Sequence, residues 1–585
     1  MKKILRYLKK KDWLMILISL VFIVVQVALD LKMPDYMSEI TRYVQTEGSA
    51  MSDVLTAGGK MLLCALGSMA SSVIVGYFVA RVASGLSMRL RDAVYNKVLS
   101  FSMEEIGHFS TASLITRSTN DITQVQMVIA FGLQAAVKAP IMAVWAIMKI
   151  AGKSWQWTAA TAVAVAVLLV LIITLFILVV PKFTKIQGLT DNLNRVTREN
   201  LSGIRVVRAY NAEDYQENKF DHANADLTNT NLFTQRAMAV MSPVMSLISG
   251  GLTLSIYWIG MYLINAESGM DKISLFSDMV VFSSYAMQVI MSFMMLTITI
   301  MILPRALVSA KRINEVLSTE NHIQDGHDDS TSSEKGTIEF KNVSFHYPDA
   351  ADNILENISF TAKQGETVAF IGSTGSGKST LINLIPRFYD VTDGEVLVDG
   401  KNVKDYSQKA LRDKIGYAPQ KAVLFSGTVA SNVSYSDASD VTDKERLKQA
   451  MEIAQAEEFV EEMDGKEDAS IAQGGTNVSG GQKQRLSIAR AIYKHPEILI
   501  FDDSFSALDY RTDRTLRGAL KKEAAGVTKL IVAQRIGTIK DADRIIVVDD
   551  GRIAGQGTHK ELLENCEVYK EIAESQLSKE ELLNA

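Results

Sequence analysis

Only two cysteines occur in 585 residues, Cys64 and Cys566, and they stand far apart. That excludes a disulfide framework and a thiolate metal cluster, and both read as buried, inert thiols. The seven histidines include no pair placed on one helix face, which leaves a metal-dependent hydrolase without ligands. Charge is missing too, in long stretches of the first half. No Asp, Glu, Lys or Arg falls between Asp12 and Asp30, Lys60 and Arg81, Lys153 and Lys182, Arg236 and Glu267, or Asp278 and Arg305. Each gap is close to or above the roughly 17–25 residues that cross a bilayer as a helix. A soluble globular protein is therefore excluded.

A sixth apolar segment, interrupted only by Lys138, brings the expected spans to about 13–31, 57–81, 127–150, 156–181, 237–266 and 273–303. The apolar residues reach 48% overall, yet mean hydropathy is only +0.10, because the second half has ordinary soluble composition. Residues 1–320 carry 29 Lys and Arg against 22 Asp and Glu, a net +7, while the rest of the chain is net −12. Most of the cations fall on one side if the N-terminus, MKKILRYLKKK, is inside the cell. No small-residue cleavage pattern follows the first span, so a removed signal peptide is not expected. The inner connections 82–125 and 182–235 contain no proline and read as helical arms, either solvated hairpins or levers that carry force to the membrane. Lys138 is costly in lipid and calls for a carboxylate partner, a route to the interface or a substrate. The methionines of the last span, Met279, Met287, Met291, Met294, Met295 and Met301, suit helix packing and adaptable apolar ligands equally.

After a polar linker, 319–336, the second half opens with the strand-like TIEFKNVSFHYP. Then TVAFIGSTGSGKSTLINLI places an apolar strand, a glycine loop and a helix in phosphate-loop order. Gly372, Ser373, Thr374, Gly375, Ser376 and Gly377 turn backbone N–H groups toward one point, Lys378 reaches the outer phosphates, and Ser379, followed by Thr380, offers a hydroxyl to Mg²⁺. EILIFDDS is a buried-strand run ending in Asp502 and Asp503, which read as metal and water positioners, with capping of the next turn as the alternative.

TNVSGGQKQRLSIARA resembles the signature helix of ABC transporter ATPases. The glycine loop at 372–379, YAPQ with Gln420, VSGGQ at 478–482, the strand through Asp502 and SALD ending at Asp509 follow in that family's order, and the resemblance covers 337–578, leaving a tail of 579–585. HFSTASLITRSTNDI and RENLSGIRVVRAYNAEDYQENKF resemble the family's two coupling regions. The expected fold is a membrane α-helical domain, 1–318, with six transmembrane helices and long cytoplasmic extensions, fused to an α/β P-loop ATPase domain of ABC type. The resemblance implies ATP and Mg²⁺ as cofactors. Ser379, Gln420 and Asp502 would hold the metal, Tyr347 would stack on adenine, and Ser479, Gly480, Gly481, Gln482 and Asp509 would serve a nucleotide held by a second subunit.

Three positions depart from the family pattern. Asp503 stands where the family has the glutamate that polarises water, and its carboxylate falls about 1 Å short. Gln534 stands at the switch histidine and lacks imidazole's proton chemistry, and Gln473 replaces a glutamate in the loop before the signature. This pattern resembles the degenerate half of bacterial heterodimeric multidrug exporters. It implies a different partner half-transporter with the missing Glu and His, hydrophobic or amphipathic cargo, contact with membrane lipid, no nucleic acid, and a multi-pass place in the cell membrane with N-terminus and ATPase domain cytoplasmic. Lipid or peptide export, or an ATP-gated regulatory membrane protein, are the alternatives. The short stretch before the first span speaks against an added protease-like domain.

Overall fold

Four of the apolar runs fold into helices longer than the runs themselves. The computed structural model describes residues 2–46, 48–151, 154–266, 270–328, 334–348, 350–436 and 443–577. The expected tail 579–585, part of the linker, Lys153 and the side chain of Met301 lie outside the described residues. Among the described residues, six helical stretches are long and apolar enough to cross a membrane. Three of them, Met51–Leu99, Trp155–Ser202 and Met270–Ser318, have 49, 48 and 49 residues. At 1.5 Å per residue each is about 70 Å long, more than twice the roughly 30 Å of hydrocarbon in a bilayer. The excess emerges from the lipid, which is why the charged connections read from the sequence are continuous with the spans.

The chain divides into two compact units, Met1–Leu99 with Ser110–Thr319, and Ser100–Phe109 with Glu320–Ala585. The first is all helix. Its core gathers Trp157, Phe282 and Tyr285 with aliphatic residues of several helices, and the Trp157 indole N–H donates to the Ile256 carbonyl at 3.1 Å. Met279 is a packing residue: a Cβ on Gly260 would come within 2.4 Å of its sulfur, so the missing side chain admits the thioether. Two lysines of this unit pair with carboxylates, as low dielectric demands. Lys149 meets Asp35 at 2.8 Å, and Lys138 meets Asp30 at 3.2 Å, so a carboxylate partner for Lys138 comes from the first long helix, Lys10–Gln45.

The second unit draws in a segment from inside the expected membrane domain, 1–318. Ser100–Phe109, which the sequence reading left inside the membrane domain, groups with the ATPase residues. The cause is Glu105, 2% exposed, whose carboxylate accepts bonds from the Ser102 N–H and hydroxyl and from the His322 N–H and imidazole. Burial opposes its ionisation, but these four donors win and hold the pKa at about 2, while the carboxylates raise that of His322. The described linker residues are also seated: the Gly326 N–H donates to Tyr406 O and the Asp328 N–H to Asp405 O.

Two sheets form the body of this unit. The six-stranded sheet runs Arg552–Gly557, Arg544–Asp549, Thr367–Ile371, Thr528–Val532, Ile498–Asp502, Ile415–Ala418, and all but the first of these strands are parallel. Ile498–Asp502 and Thr528–Val532 are buried along their whole length, as continuous apolar runs covered on both faces should be. A four-stranded antiparallel sheet orders Leu355–Ala362, Ile338–Phe345, Asp393–Val398 and Lys401–Asn402.

Candidate nucleotide site

Ligands of open parallel sheets sit beyond the carboxyl ends of the strands. Here three adjacent strands end together. Thr528–Val532 lies between Thr367–Ile371 and Ile498–Asp502, pairing Val532 with Phe370 on one side and with Asp502 on the other. The glycine loop, the two aspartates and Gln534 therefore leave the sheet side by side, although they are up to 160 residues apart in sequence. Backbone bonds seal the exit: the Ala533 N–H donates to Phe370 O and the Asp503 N–H to Val532 O.

The glycine loop is built as a phosphate cradle. A Cβ on Gly372 would stand 1.9 Å from the Val548 carbonyl, while Gly375 has nothing within 4 Å of that position and leaves one side open. Gly377, with φ near +95°, caps the helix Lys378–Asn383 in a left-handed conformation. The Lys378 ammonium lies inside the loop, donating to Gly372 O at 3.0 Å, Ser373 O at 2.6 Å and Ser376 Oγ at 3.1 Å. Burial lowers its pKa, and the charges of Asp503 and Asp502 oppose that shift. An anion arriving here exchanges with protein oxygens for those protons.

At the metal position, the Ser379 hydroxyl donates to Asp502 Oδ1 at 2.8 Å. One hydroxyl and one carboxylate converging at a helix start are hard oxygen ligands, the set a Mg²⁺–phosphate unit needs, and the residues fit that ion. Ser379 and Asp502 would hold Mg²⁺, which would neutralise phosphate charge; Gln420, also expected to hold the metal, meets Asp503 instead. Burial raises the pKa of both Asp502 and Asp503, and for Asp502 the neighbouring Asp503 charge raises it further. Raised carboxylate pKa values mean that the protonated forms stabilise the fold, and that this contribution is lost as pH rises through the folded values. Asp502→Asn is accordingly expected to raise the melting temperature of the nucleotide-free chain at neutral pH, with the gain vanishing below pH about 4, and to abolish stabilisation by Mg²⁺–ATP. Thermal unfolding followed across pH would check both parts.

Two of the three departures from the family pattern, Asp503 and Gln534, touch. Gln534 Nε2 donates to Asp503 Oδ2 at 3.0 Å, and Gln420 Nε2 lies 3.4 Å from the same oxygen. Asp503 is thus held between two amides, in a left-handed backbone conformation of φ 47°. The switch residue is itself clamped: Gln576 of the last helix, Glu567–Gln576, donates to Gln534 O and accepts from the Ile536 N–H. The carboxylate of Asp502 meets Ser379 and Tyr417, and that of Asp503 meets Gln420 and Gln534. Gln473 lies in a short 3₁₀ turn, Gln473–Gly475, within the loop that precedes the signature.

Tyr347 reaches the same cradle from the antiparallel sheet. Its hydroxyl lies 3.1 Å from Thr380 Oγ1, and its ring meets Tyr389 edge-on at 5.3 Å. Sequence reasoning missed Tyr389 and also Tyr417, whose hydroxyl lies 3.0 Å from Asn383 Oδ1 and 3.5 Å from Asp502 Oδ2. Tyr417 stands three residues before Gln420, and that spacing was the available signal. The signature residues form a separate element: Ser479 caps the helix Gly480–Tyr493, with Gln482 bonding back to the Ser479 N–H at 2.9 Å. Asp509 caps Tyr510–Glu523, accepting from the Thr512 N–H and hydroxyl, bonds that lower its pKa.

Residues 355–506 match the ABC transporter family and residues 16–293 match the ABC transporter transmembrane region. An uncharacterized ABC transporter ATP-binding protein of Mycobacterium bovis is 39% identical over 92% of this chain and 93% of its own. Another from Bacillus subtilis is 35% identical over 99% of both chains. The ATP-dependent lipid A-core flippase of Pseudomonas aeruginosa is 31% identical over 84% of this chain and 80% of its own. In fold, the chain is similar to a bacterial Atm1-family ABC exporter solved with ATP bound, with TM-score 0.82 at 24% identity, covering 96% of this chain and 98% of that one. By this similarity and by its own nucleotide site, the chain belongs to the ABC transporter family, with six candidate membrane helices among its described residues followed by an ABC ATPase domain.

Proposed function

We propose that this chain is the weaker half of a heterodimeric exporter for hydrophobic or amphipathic compounds. The observation that carries the reading is the direct 3.0 Å bond between Asp503 and Gln534. A carboxylate one methylene too short, engaged by an amide that cannot shuttle a proton, is a poor general base for water. The phosphate loop, Lys378, Ser379 and Asp502 retain what ATP and Mg²⁺ binding requires. The intact cap at Ser479, with its Gly-Gly turn, opens a helix whose dipole suits a phosphate, so this chain completes a productive site on a partner's nucleotide. The partner carries Glu and His at the positions of Asp503 and Gln534. Multidrug efflux is the favoured role; the kinship with a lipid A-core flippase favours lipid export as the second reading.

The chain alone, reconstituted in nanodiscs, is expected to bind ATP with turnover near background. Reconstituted with such a partner in inverted vesicles, it should hydrolyse ATP and accumulate an amphipathic dye. Robust turnover by the single chain would overturn the proposal.

A further inference from the structure

The nucleotide site leaves unused a group of polar side chains inside the membrane unit. Lys138 Nζ lies 3.2 Å from Asp30 Oδ2, and Asp30 Oδ1 accepts from the Ser68 hydroxyl at 2.5 Å. Gln288 Nε2 lies 3.5 Å from the Asp30 carbonyl, while Gln288 Oε1 is buried with no hydrogen-bond partner. An orphan acceptor in a low-dielectric interior is costly and asks for a donor. The Lys138 side chain is 23% exposed and that of Asp30 16%, so the pair is reached from outside the packed core. Asp30 has two donors, whereas Lys138 has three protons and meets one carboxylate.

An apolar cavity of about 200 Å³ lies along the helices that carry Lys138 and Gln288, with Val128, Phe131, Gln134, Ala135, Met295 and Ile302 among its walls. Lys138 stands one helical turn beyond Gln134 and Ala135, and Gln288 two turns before Met295, so both polar residues share helix faces with the cavity lining. Part of the wall is a π-helical turn at Val128–Gly132, a distortion that costs regular hydrogen bonding and recurs at functional sites. Whole drug-sized ligands occupy about 300–1,000 Å³; this cavity takes only the apolar end of one.

Resting on the exporter reading, we infer that Lys138, Asp30 and Gln288 receive the head of a zwitterionic amphiphile whose chain enters the cavity. The pair carries one charge of each sign, which matches a head of zero net charge. An anionic oxygen takes the free protons of Lys138, and an ammonium donates to Gln288 Oε1 and Asp30. A neutral amphiphile gains only the cavity.

Binding of radiolabelled dodecanoyl lysophosphatidylethanolamine and of monododecanoylglycerol to the full chain in nanodiscs tests this without requiring hydrolysis or transport, so a failed exporter reading and a failed site give different results. Lys138→Gln is expected to weaken the zwitterionic probe about tenfold and leave the neutral one within twofold. Gln288→Leu should act in the same direction, and Ala135→Phe should remove both probes by filling the cavity. Equal affinity of Lys138→Gln and the parent chain for the zwitterionic probe overturns the inference, as does a parallel loss of both probes in Lys138→Gln and Gln288→Leu.

Discussion

A chain carrying Asp503→Glu together with Gln534→His is expected to hydrolyse ATP about 10²-fold faster than its parent. The measurement is steady-state phosphate release by the purified chain in nanodiscs large enough for two copies, each of which brings an intact signature. Glutamate returns the missing methylene, so its carboxylate reaches past the point where Asp503 now meets Gln534 and Gln420. Histidine removes the amide that engages Asp503 and supplies a proton-exchanging ring, whose position is kept by the Gln576 clamp on the backbone of the same loop. The opposing effect is conformational. Position 503 sits at φ 47°, a region that favours aspartate over glutamate, and the substitution costs about 1 kcal/mol of fold stability. That loss falls on the whole domain, whereas 10²-fold in rate is about 2.7 kcal/mol of barrier at the site, so the gain in turnover dominates the readout. The single substitutions should each recover much less, because either leaves one of the two amide-bound defects in place. A double variant as slow as the parent would remove the degenerate-site reading.

Gly372→Ala is expected to cost at least about tenfold in ATP affinity and about 1–3 kcal/mol in stability. The reason is distance rather than chemistry. The new Cβ would stand 1.9 Å from Val548 O, and the strand Arg544–Asp549 that carries this carbonyl is paired with Thr367–Ile371 immediately before the loop. Either the strands part at the Ile371–Val547 pair or the loop lifts, and lifting it withdraws the Gly372 and Ser373 carbonyls that seat Lys378. Gly375→Ala is the control, since no atom lies within 4 Å of its Cβ position, although its φ of +89° carries a backbone cost of its own. Calorimetric ATP binding and thermal unfolding of both variants check the contrast; equal losses would show that backbone strain, and not the contact with Val548, governs the loop.

Much of the site was legible because its pieces are local. A strand, a glycine loop and a helix contiguous in sequence leave little freedom for where Gly372 to Thr380 go, and VSGGQ contains its own cap, with Ser479 and Gln482 three residues apart. The spans were legible for the same kind of reason, as lipid excludes charge over the length of a helix. Residues that act through distant partners were not legible. Tyr389 and Tyr417 carry no local signature, and Ser100–Phe109 looked like part of the membrane domain because nothing near it shows that Glu105 will be buried against His322.

The amino-acid sequence by itself determined the division into apolar and ATP-binding halves, the chemistry of the phosphate loop and the two departures at Asp503 and Gln534. The first two are properties of composition or of contiguous residues, and the departures are read against the pattern of the family that the chain resembles. Only the tertiary structure decided that those two residues bond to each other, because strand order, with Thr528–Val532 inserted between Thr367–Ile371 and Ile498–Asp502, sets which chain ends meet. It likewise chose Asp30 as the partner of Lys138. Pairing across helices follows from packing and desolvation of the whole unit, and no window of sequence contains that information.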